Sequence, residues 1–414
     1  MLVMVWTGRA HAAPDVPPEV RKLYEQKPVI ELVTMGIGSL IWERHGHIAL
    51  CVRYDDPRED ACYNYGIGDF HDPAKMGWAF FRGAKSFWVG KEAVADMIGP
   101  RSIYRYTDRT IWVQPLPLTP EQKTKIITKL EDDILEDHKY YAYDHFWDNC
   151  TTRVRDIIDD ATGGTLSSMT DPPDDKTFRD LARDGFYDMA SSRIPLLITD
   201  IAMGRVTDRV PSYWERMFLP QYLREAVAKK FGIQPIVIYE RHGDQAITDR
   251  ELCSDGSIIT KGDSCQPSGP SGRIWFALIA LLFTAPAWLT RRFNVLPRIG
   301  LAFAVLPEVI LGTVFWGLAI ISPLPYVRWN ESCLVFFPFD LLLLAFLSKP
   351  NRRKYARLRV AMLALMAVLM IFGILRQPLF AEMLWPLVPA LVVGYWPEPK
   401  AKTDAKAKPP AKKA

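Results

Sequence analysis

The pattern of apolar and polar residues divides the chain into two regions near residue 273. The first region alternates short β-rich runs with turn residues and helical patterns, which is typical of an α+β domain. The second region is dominated by long apolar stretches, several of them shorter than the ~20 residues of a membrane-spanning helix. The pattern predicts an α+β domain followed by an all-α transmembrane bundle of about five helices. The five stretches cover roughly 274–290, 299–320, 333–348, 360–375 and 382–397, of which the fourth and fifth could instead form a re-entrant pair.

Two helices are predicted with defined starts in the first region. Thr119-Pro120-Glu121-Gln122 combines an N-cap residue, a proline and acidic or amide groups, which indicates a helix running to about Asp137. A second helix is predicted to begin near Asp148-Asn149-Cys150 and to end at Gly163-Gly164. The β-rich runs are Val29 to Met35, His47 to Arg53, Ala61 to Ile67 and Thr110 to Leu116.

Charge placement predicts how the apolar stretches are oriented. The loops after the first, third and fifth stretches carry fifteen Lys and Arg residues, and the other two loops carry only Arg328 and Arg376. Because positive loops stay in the cytoplasm, the C-terminus is predicted to be cytoplasmic and the first 270 residues to lie on the opposite side. Asp340, inside the third stretch, would be expensive facing lipid and is expected to line a polar interior or to lie close to a helix end.

The net charge of +4 reflects this topology rather than a nucleic-acid ligand. Residues 400–414 contain six lysines and one aspartate, or +5, which leaves −1 for the rest of the chain. Export of the domain requires a signal, and the apolar residues 2–6 followed by Ala10-His11-Ala12-Ala13 are expected to be the end of a signal peptide. The predicted organisation is a signal remnant at 1–13, a periplasmic domain at 28–250, a polar linker at 251–272, a transmembrane region at 273–397 and a disordered tail at 398–414.

The six cysteines suggest an oxidising compartment and one reactive thiol. Cys253 and Cys265 flank the polar linker and could form a disulfide, and Cys51 and Cys62 could face each other across a hairpin. Cys333 lies at the boundary of an apolar stretch. Cys150 is left over, at the predicted start of a helix.

A cysteine in the first turn of a helix has the physical requirements of a nucleophile. Unpaired N–H groups and the helix dipole favour a thiolate there and can hold an oxyanion, with Asp148 or Asn149 as the cap. A thiol also needs a base, and His45-Gly46-His47 opens an apolar strand. The alternatives are a buried structural thiol and a satisfied core histidine. The spacing of these residues alone does not decide between the two interpretations.

Three strings of residues carry a family resemblance: Arg44-His45-Gly46-His47, Asn64-Tyr65-Gly66-Ile67-Gly68-Asp69-Phe70, and the run from Phe146 to Asp156 that contains Asp148-Asn149-Cys150-Thr151-Thr152-Arg153. They resemble the N-terminal periplasmic domain of Lnb-type bacterial lipoprotein N-acyltransferases, which is related to permuted NlpC/P60 and lecithin:retinol acyltransferase-like folds. The resemblance covers residues 28 to 220. It implies a permuted papain-like fold.

The resemblance also implies the site and the reaction. Cys150 would be the nucleophile and His47 the base, with His45 as a second polar group, because alternation along a strand puts both histidines on one face. Asn64 is the first choice for orienting the imidazole, before Asp69 and Tyr65. Arg153 and Arg155 would hold a lipid phosphate or form salt bridges on the helix face. The implied partners are a phospholipid acyl donor and, as acceptor, the α-amino group of a diacylglyceryl-cysteine at a lipoprotein N-terminus.

The expected protein is an acyltransferase of the bacterial inner membrane that needs no metal and no other cofactor. Two rival functions remain at this point: an NlpC/P60-like peptidase acting on peptidoglycan peptides, and a non-catalytic envelope binding module. An aromatic stretch could rest on the membrane interface near the site or pack in the core. It contains Trp78, Phe80, Phe81, Phe87 and Trp88.

Overall fold

A computed structural model describes residues 17–38, 40–186, 197, 200–242 and 272–397 of the chain. The predicted signal remnant, the predicted tail, nearly all of the linker and the Cys253–Cys265 pair lie outside these residues. The chain divides into two compact units. The N-terminal unit comprises residues 1–199, 206–269 and 321–328, and the helical unit comprises 200–205, 270–320 and 329–414.

The N-terminal unit is built on an antiparallel sheet of seven strands in the order β6-β4-β3-β2-β1-β5-β7. The predicted bounds of β1 and β2 are confirmed, and those of β3 and β5 are confirmed to within one residue at each end. The sequence did not indicate β4, β6 or β7. The strands are β1 (Val29–Met35), β2 (His47–Arg53), β3 (Ala61–Gly68), β4 (Phe87–Ala93), β5 (Ile111–Pro115), β6 (Tyr140–Tyr141) and β7 (Ile236–Tyr239).

Both predicted helices of this unit are present. The first has the expected capping box, in which Thr119 and Gln122 bond each other's backbone, but it ends at Asp133, before the predicted end. The second begins at Cys150 and stops before Gly163 and Gly164, which both have left-handed φ angles. The helices are α1 (Pro18–Tyr24), α2 (Pro73–Phe81), α3 (Val94–Ile98), α4 (Ile103–Tyr106), α5 (Pro120–Asp133), α6 (Cys150–Ala161), α7 (Phe178–Asp184), α8 (Tyr213–Arg216) and α9 (Pro220–Phe231).

Helices cover both faces of the sheet, and this arrangement positions the site. On one face, Val33, Cys51, Cys62 and Met97 belong to a buried cluster that joins the central strands to α3. On the other face, α6 packs on β2 and β3, and the buried Tyr63 hydroxyl donates to Glu131 of α5. Because the side chains of a strand alternate between faces, β2 and β3 contribute to both cores.

The helical unit contains two helices that are long and apolar enough to cross a membrane, among the residues that the structure describes. They are Ile274–Arg292, within α10 (Gly272–Arg292), and Pro297–Ile321, which is α11. A shorter apolar helix corresponds to the fifth stretch. The remaining helices are α12 (Pro325–Arg328), which belongs to the N-terminal unit, and α13 (Ser332–Val335), α14 (Lys349–Ile371) and α15 (Leu384–Gly394).

The prediction of a helix through the third apolar stretch was wrong. This stretch forms α13 and a 3-10 segment, Pro338–Leu343, with extended backbone between them. Pro338 explains the break, because proline lacks an N–H donor and forces the residue before it out of the helical region. Irregular backbone at membrane depth is tolerated only where protein covers its polar groups, and the buried Asp340 of this segment is paired with Arg359.

Candidate active site

Asn149, rather than Asp148, caps the helix that carries Cys150. Its Oδ1 accepts the N–H groups of Thr151 at 2.8 Å and Thr152 at 2.9 Å, and its Nδ2 donates to the carbonyl oxygens of His145 and Phe218. The Thr152 hydroxyl in turn accepts the N–H of Asn149. The capping contacts therefore use three N–H groups of the first turn but not that of Cys150, at the positive end of the helix dipole.

His47 is the first residue of β2, opposite Met35 of β1. Asn64 of β3 lies opposite Ala49, two residues along β2 from His47, so both side chains point to the same face of the sheet. The His47 Nε2 and Asn64 Oδ1 atoms are 2.5 Å apart. His47 is thus bonded to Asn64, which was the first choice for its orienting partner in the sequence analysis.

The hydrogen bonds of Asn64 define the tautomer of His47. The Asn64 Nδ2 donates to the Glu92 carboxylate at 3.2 Å, and a carboxylate only accepts hydrogen bonds. The Asn64 Oδ1 must then face His47, so the His47 Nε2 carries the hydrogen and donates it. This leaves the His47 Nδ1 as the unprotonated nitrogen, which is the atom that can accept a proton.

The backbone between Asn64 and Ile67 makes room for the thiol. The register of β3 shifts there, and Gly66 has a φ of 84°. This left-handed φ is one that only glycine adopts without strain, and a Cβ placed on Gly66 would lie 3.4 Å from the Cβ of Cys150, which shows how closely the two residues approach. The pairing of β2 with β3 ends at Ala49, and the N–H of Ile48 interacts with the thiol of Cys150. Cys150 therefore lies next to Ile48, the residue that follows His47 at the start of β2.

Burial controls the charge state of both groups. Burial, together with the charge of Arg109, lowers the pKa of His47 to about 4, against a smaller raising effect from its bond to Asn64. Burial also raises the pKa of the Cys150 thiol, partly offset by the Thr151 hydroxyl and the N–H of Ile48. At neutral pH the pair is a neutral thiol and a neutral imidazole, so the imidazole can act as a general base.

A third side chain near His47 was not predicted from the sequence. The Tyr104 ring stacks on His47 with centroids 5.9 Å apart and an interplanar angle of 16°. Burial raises the pKa of Tyr104, and so does the charge of Cys150, while a hydrogen bond from Asn64 lowers it. The Arg109 guanidinium lies over the Tyr104 ring, 4.9 Å from its centroid. Tyr104, Arg109 and Glu92 come from separate segments with no shared motif, so no spacing signal could have found them.

The expectation that His45 shares the face of His47 was wrong. Gly46 has a φ of 76° and β2 begins only at His47, so strand alternation does not extend to His45. The His45 Nε2 instead bonds the carbonyl of Ala182 at 2.8 Å, and its ring packs edge-on against His145 and Phe186. The geometry favours His47 as the acting base.

The other candidates for the orienting role lie away from His47. The Tyr65 hydroxyl donates to Asp133 at 2.7 Å in the core, and the exposed Asp69 bonds His71. The expectation of Arg153 and Arg155 as phosphate ligands finds no support in their geometry, because both are paired within the domain. Arg153 makes two bonds to Asp148 and covers the Tyr141 ring, while Arg155 bonds Asp156 and the Trp214 carbonyl.

A disulfide crosslinks the two strands that carry the base and its partner. Cys51 of β2 and Cys62 of β3 lie opposite each other and form a disulfide, which was one of the two pairings predicted from the sequence. The Ala49–Asn64 pair lies two residues along. In the described part of the chain, Cys150 and Cys333 are the free cysteines, and no cluster of three His, Cys, Asp or Glu side chains has a metal-binding arrangement.

The N-terminal unit is an α+β domain that contains a hydrogen-bonded histidine–asparagine pair and a free cysteine at a helix start, and apolar helices follow it in the chain. Residues 20–183 match the family model described as the Lnb N-terminal periplasmic domain. The match to a periplasmic-domain family model and the two apolar helices indicate a membrane-associated protein. No curated protein and no solved structure matches the chain.

Proposed function

We propose that the protein is a cysteine-dependent acyltransferase that moves an acyl chain from a phospholipid to the α-amino group of a diacylglyceryl-cysteine at a lipoprotein N-terminus. The observation that carries the chemistry is the His47–Asn64–Glu92 chain, which leaves the His47 Nδ1 to accept a proton one residue from Ile48, whose N–H interacts with the helix-capped thiol. The family match and the apolar helices support the substrate class, because donor and acceptor both lie in a bilayer.

In the first half-reaction, the His47 Nδ1 takes the proton of Cys150 as the sulfur attacks the ester carbonyl carbon of the phospholipid. The N–H of Cys150, which the cap does not use, stabilises the resulting oxyanion. The carbon–oxygen bond then breaks, and His47 returns the proton to the departing lysophospholipid alkoxide. The product is a thioester on Cys150.

In the second half-reaction, the amine of the lipoprotein attacks the thioester carbonyl, and His47 accepts the proton that the amine loses. The carbon–sulfur bond breaks and His47 reprotonates the sulfur. The products are an amide on the lipoprotein and the free thiol. A thioester is the sensible intermediate, because an amine attacks it more readily than it attacks an oxygen ester.

We also propose that the domain is periplasmic, that the helical unit lies in the inner membrane and that the C-terminus is cytoplasmic. Arg291 and Arg353, from two of the basic loops, both donate to the carbonyl of Trp396. The N–H groups of Arg376 and Gln377 both donate to Glu331. The basic loops thus contact one shared residue, and the two loops with few positive charges contact each other. This is the arrangement expected if the two sets of loops lie on opposite sides of a membrane. A C-terminal alkaline phosphatase fusion should be inactive, and an active one would contradict this topology.

The function is tested by replacing Cys150 with serine in the full-length protein, expressed as the sole candidate lipoprotein N-acyltransferase of its host. Mass spectrometry of a lipoprotein N-terminus should show the triacylated form with the wild-type chain and the diacylated form with Cys150→Ser. A triacylated product from both would contradict the proposal. If only the peptidoglycan fragments change, the peptidase becomes the better interpretation, and if neither product changes, the binding module does.

A further inference from the structure

Three large apolar side chains in succession are exposed just before the histidines of the site. Leu40, Ile41 and Trp42 are 45%, 51% and 46% exposed, in a segment that leads directly to His45-Gly46-His47. A single exposed apolar residue needs no explanation, but three adjacent ones form a patch of the kind that usually binds an apolar partner. We call these three residues the apolar ridge.

The ridge is held in this position by polar contacts beneath it. The Glu43 carboxylate accepts the N–H of Leu40 at 3.2 Å and pairs with Arg109 at 3.5 Å. Arg44 is buried and donates to the carbonyl oxygens of Gly38 at 2.9 Å and Gly185 at 2.6 Å. Glu43 and Arg44 are thus held by hydrogen bonds and an ion pair within the domain. The apolar side chains that precede them are left at the surface.

A continuous row of aromatic rings connects the ridge to the thiol. Trp42 stacks on Phe70 at 5.1 Å, Phe70 contacts Phe87 at 6.2 Å, and Phe87 contacts Tyr143 at 4.6 Å. Tyr143 and Cys150 both border Gly66, within 3.5 Å of a Cβ placed there. The row therefore starts at an exposed apolar surface and ends at the nucleophile.

We infer that the ridge and the aromatic row bind the acyl chain of the phospholipid donor and guide its ester to Cys150. This inference rests on the proposed acyltransferase function and adds the binding site for its donor. A long acyl chain needs an apolar contact surface that begins in the bilayer interface and reaches the reacting carbon, and tryptophan is favoured at that interface. The partly exposed rings of Trp42, Phe70 and Tyr143 offer such a surface to a flexible chain, and the buried Phe87 joins them. The Tyr143 hydroxyl and the Trp42 indole N–H are the polar groups of the row.

The experiment uses the full-length protein in lipid nanodiscs with two acyl donors. A long-chain phosphatidylethanolamine tests the binding site, and p-nitrophenyl acetate tests the thiol alone, since its acetyl group is too short to follow the row. Trp42→Ala should slow thioester formation from the phospholipid by about tenfold while the acetylation rate stays unchanged, because it removes only apolar contact with the chain. Trp42→Phe should recover most of the loss.

The matched control is Val237→Ser, which changes a comparably exposed apolar residue. Val237 lies on β7, an edge strand of the sheet that does not border β2, β3 or β4. It should affect neither donor. A phosphatidylethanolamine with a photoreactive diazirine at its chain end should label peptides that contain the ridge or Phe70. Thermal melting of each variant checks that the domain is folded, and Ile41→Ser replaces Trp42→Ala if the latter does not fold.

The outcomes separate the site from the function. If the wild-type chain forms the thioester from phospholipid but Trp42→Ala does so equally fast and labelling falls elsewhere, the binding site is wrong and the acyltransferase stands. If p-nitrophenyl acetate acylates Cys150 but no phospholipid does, the acyltransferase is contradicted, and the inference with it.

Discussion

The N-terminal and helical units both bury polar side chains, but they satisfy them differently. In the helical unit, the buried Asp340 carboxylate accepts two bonds from the Arg359 Nε and one from the Tyr355 hydroxyl. The remaining guanidinium nitrogens of Arg359 donate to the carbonyl oxygens of Leu334 and Val335. In the N-terminal unit, the hydrogen bonds of His47 and of the α6 cap do not use the His47 Nδ1 or the N–H of Cys150, and the latter interacts with the thiol of its own residue.

This difference separates a structural network from a reactive one. A buried ion pair whose groups bond each other and the backbone holds elements together. It joins the irregular third apolar stretch to α14. A buried site whose hydrogen bonds leave out a histidine nitrogen, close in the chain to a residue that contacts a thiol, is a candidate for chemistry. The Asp340–Arg359 pair and His47 are both buried. They differ in how many of their polar atoms are already hydrogen-bonded within the protein.

The largest effect is expected from breaking the ion pair on one side. Arg359→Met leaves Asp340 buried without its counter-charge and should destabilise the helical unit by about 3–5 kcal/mol. The thermal midpoint in detergent should fall clearly, while thioester formation per folded molecule stays at the wild-type rate. The double variant Asp340→Leu/Arg359→Met should recover much of the lost stability, because it removes both charges. Equal melting of the single variant and the wild type would show that the pair is not structural.

A smaller effect, on rate rather than stability, is expected at the site. Asn64→Ala removes the acceptor that fixes the His47 tautomer and should slow thioester formation on the order of 10- to 100-fold. The matched control is Tyr65→Phe, which removes a buried hydrogen bond of the next residue, on the opposite face of β3. It should lower the melting temperature and leave the rate unchanged. If both variants lose the same fraction of activity, Asn64 has no orienting role.

The acid dependence of stability should show the smallest effect. Burial lowers the pKa of His145 to about 3, and the nearby His45 lowers it further. The unfolded chain binds this proton near its ordinary pKa of about 6.5, so stability is fully present above that pH and declines as the pH falls toward 3. His145→Phe should lessen this decline and raise the melting temperature at pH 4.5 by a few degrees relative to its value at pH 7.5. The exposed His71→Phe should not, and a parallel decline in all three proteins would contradict the assignment.

The sequence was informative where a local rule determines the structure. The cap at Asn149, the start of α6 and the central strands follow from residue types a few positions apart. The sequence failed where a single backbone angle overrides the pattern, as at Gly46, where a left-handed φ takes His45 off the face of His47. It failed again at Pro338, where average hydropathy predicts a helix that proline interrupts.

The rest of the site could not be read from the sequence, because it depends on which distant segments meet. Tyr104 reaches His47 from α4, and Glu92 reaches Asn64 from β4, a strand that the sequence did not indicate. The sequence left two interpretations of the helix face open, and the structure pairs Arg153 with Asp148 and Arg155 with Asp156.

The central claim is that Cys150 carries an acyl chain between donor and acceptor. The most direct measurement is the intact mass of the full-length protein after incubation with a phospholipid of defined acyl chains and no acceptor. The account predicts the added mass of one acyl group on Cys150, removed by neutral hydroxylamine, discharged by a diacylglyceryl-cysteine peptide and absent from Cys150→Ser. Transfer of the acyl chain to the peptide by the serine variant, or an unmodified Cys150 in a preparation that acylates the peptide, would contradict it.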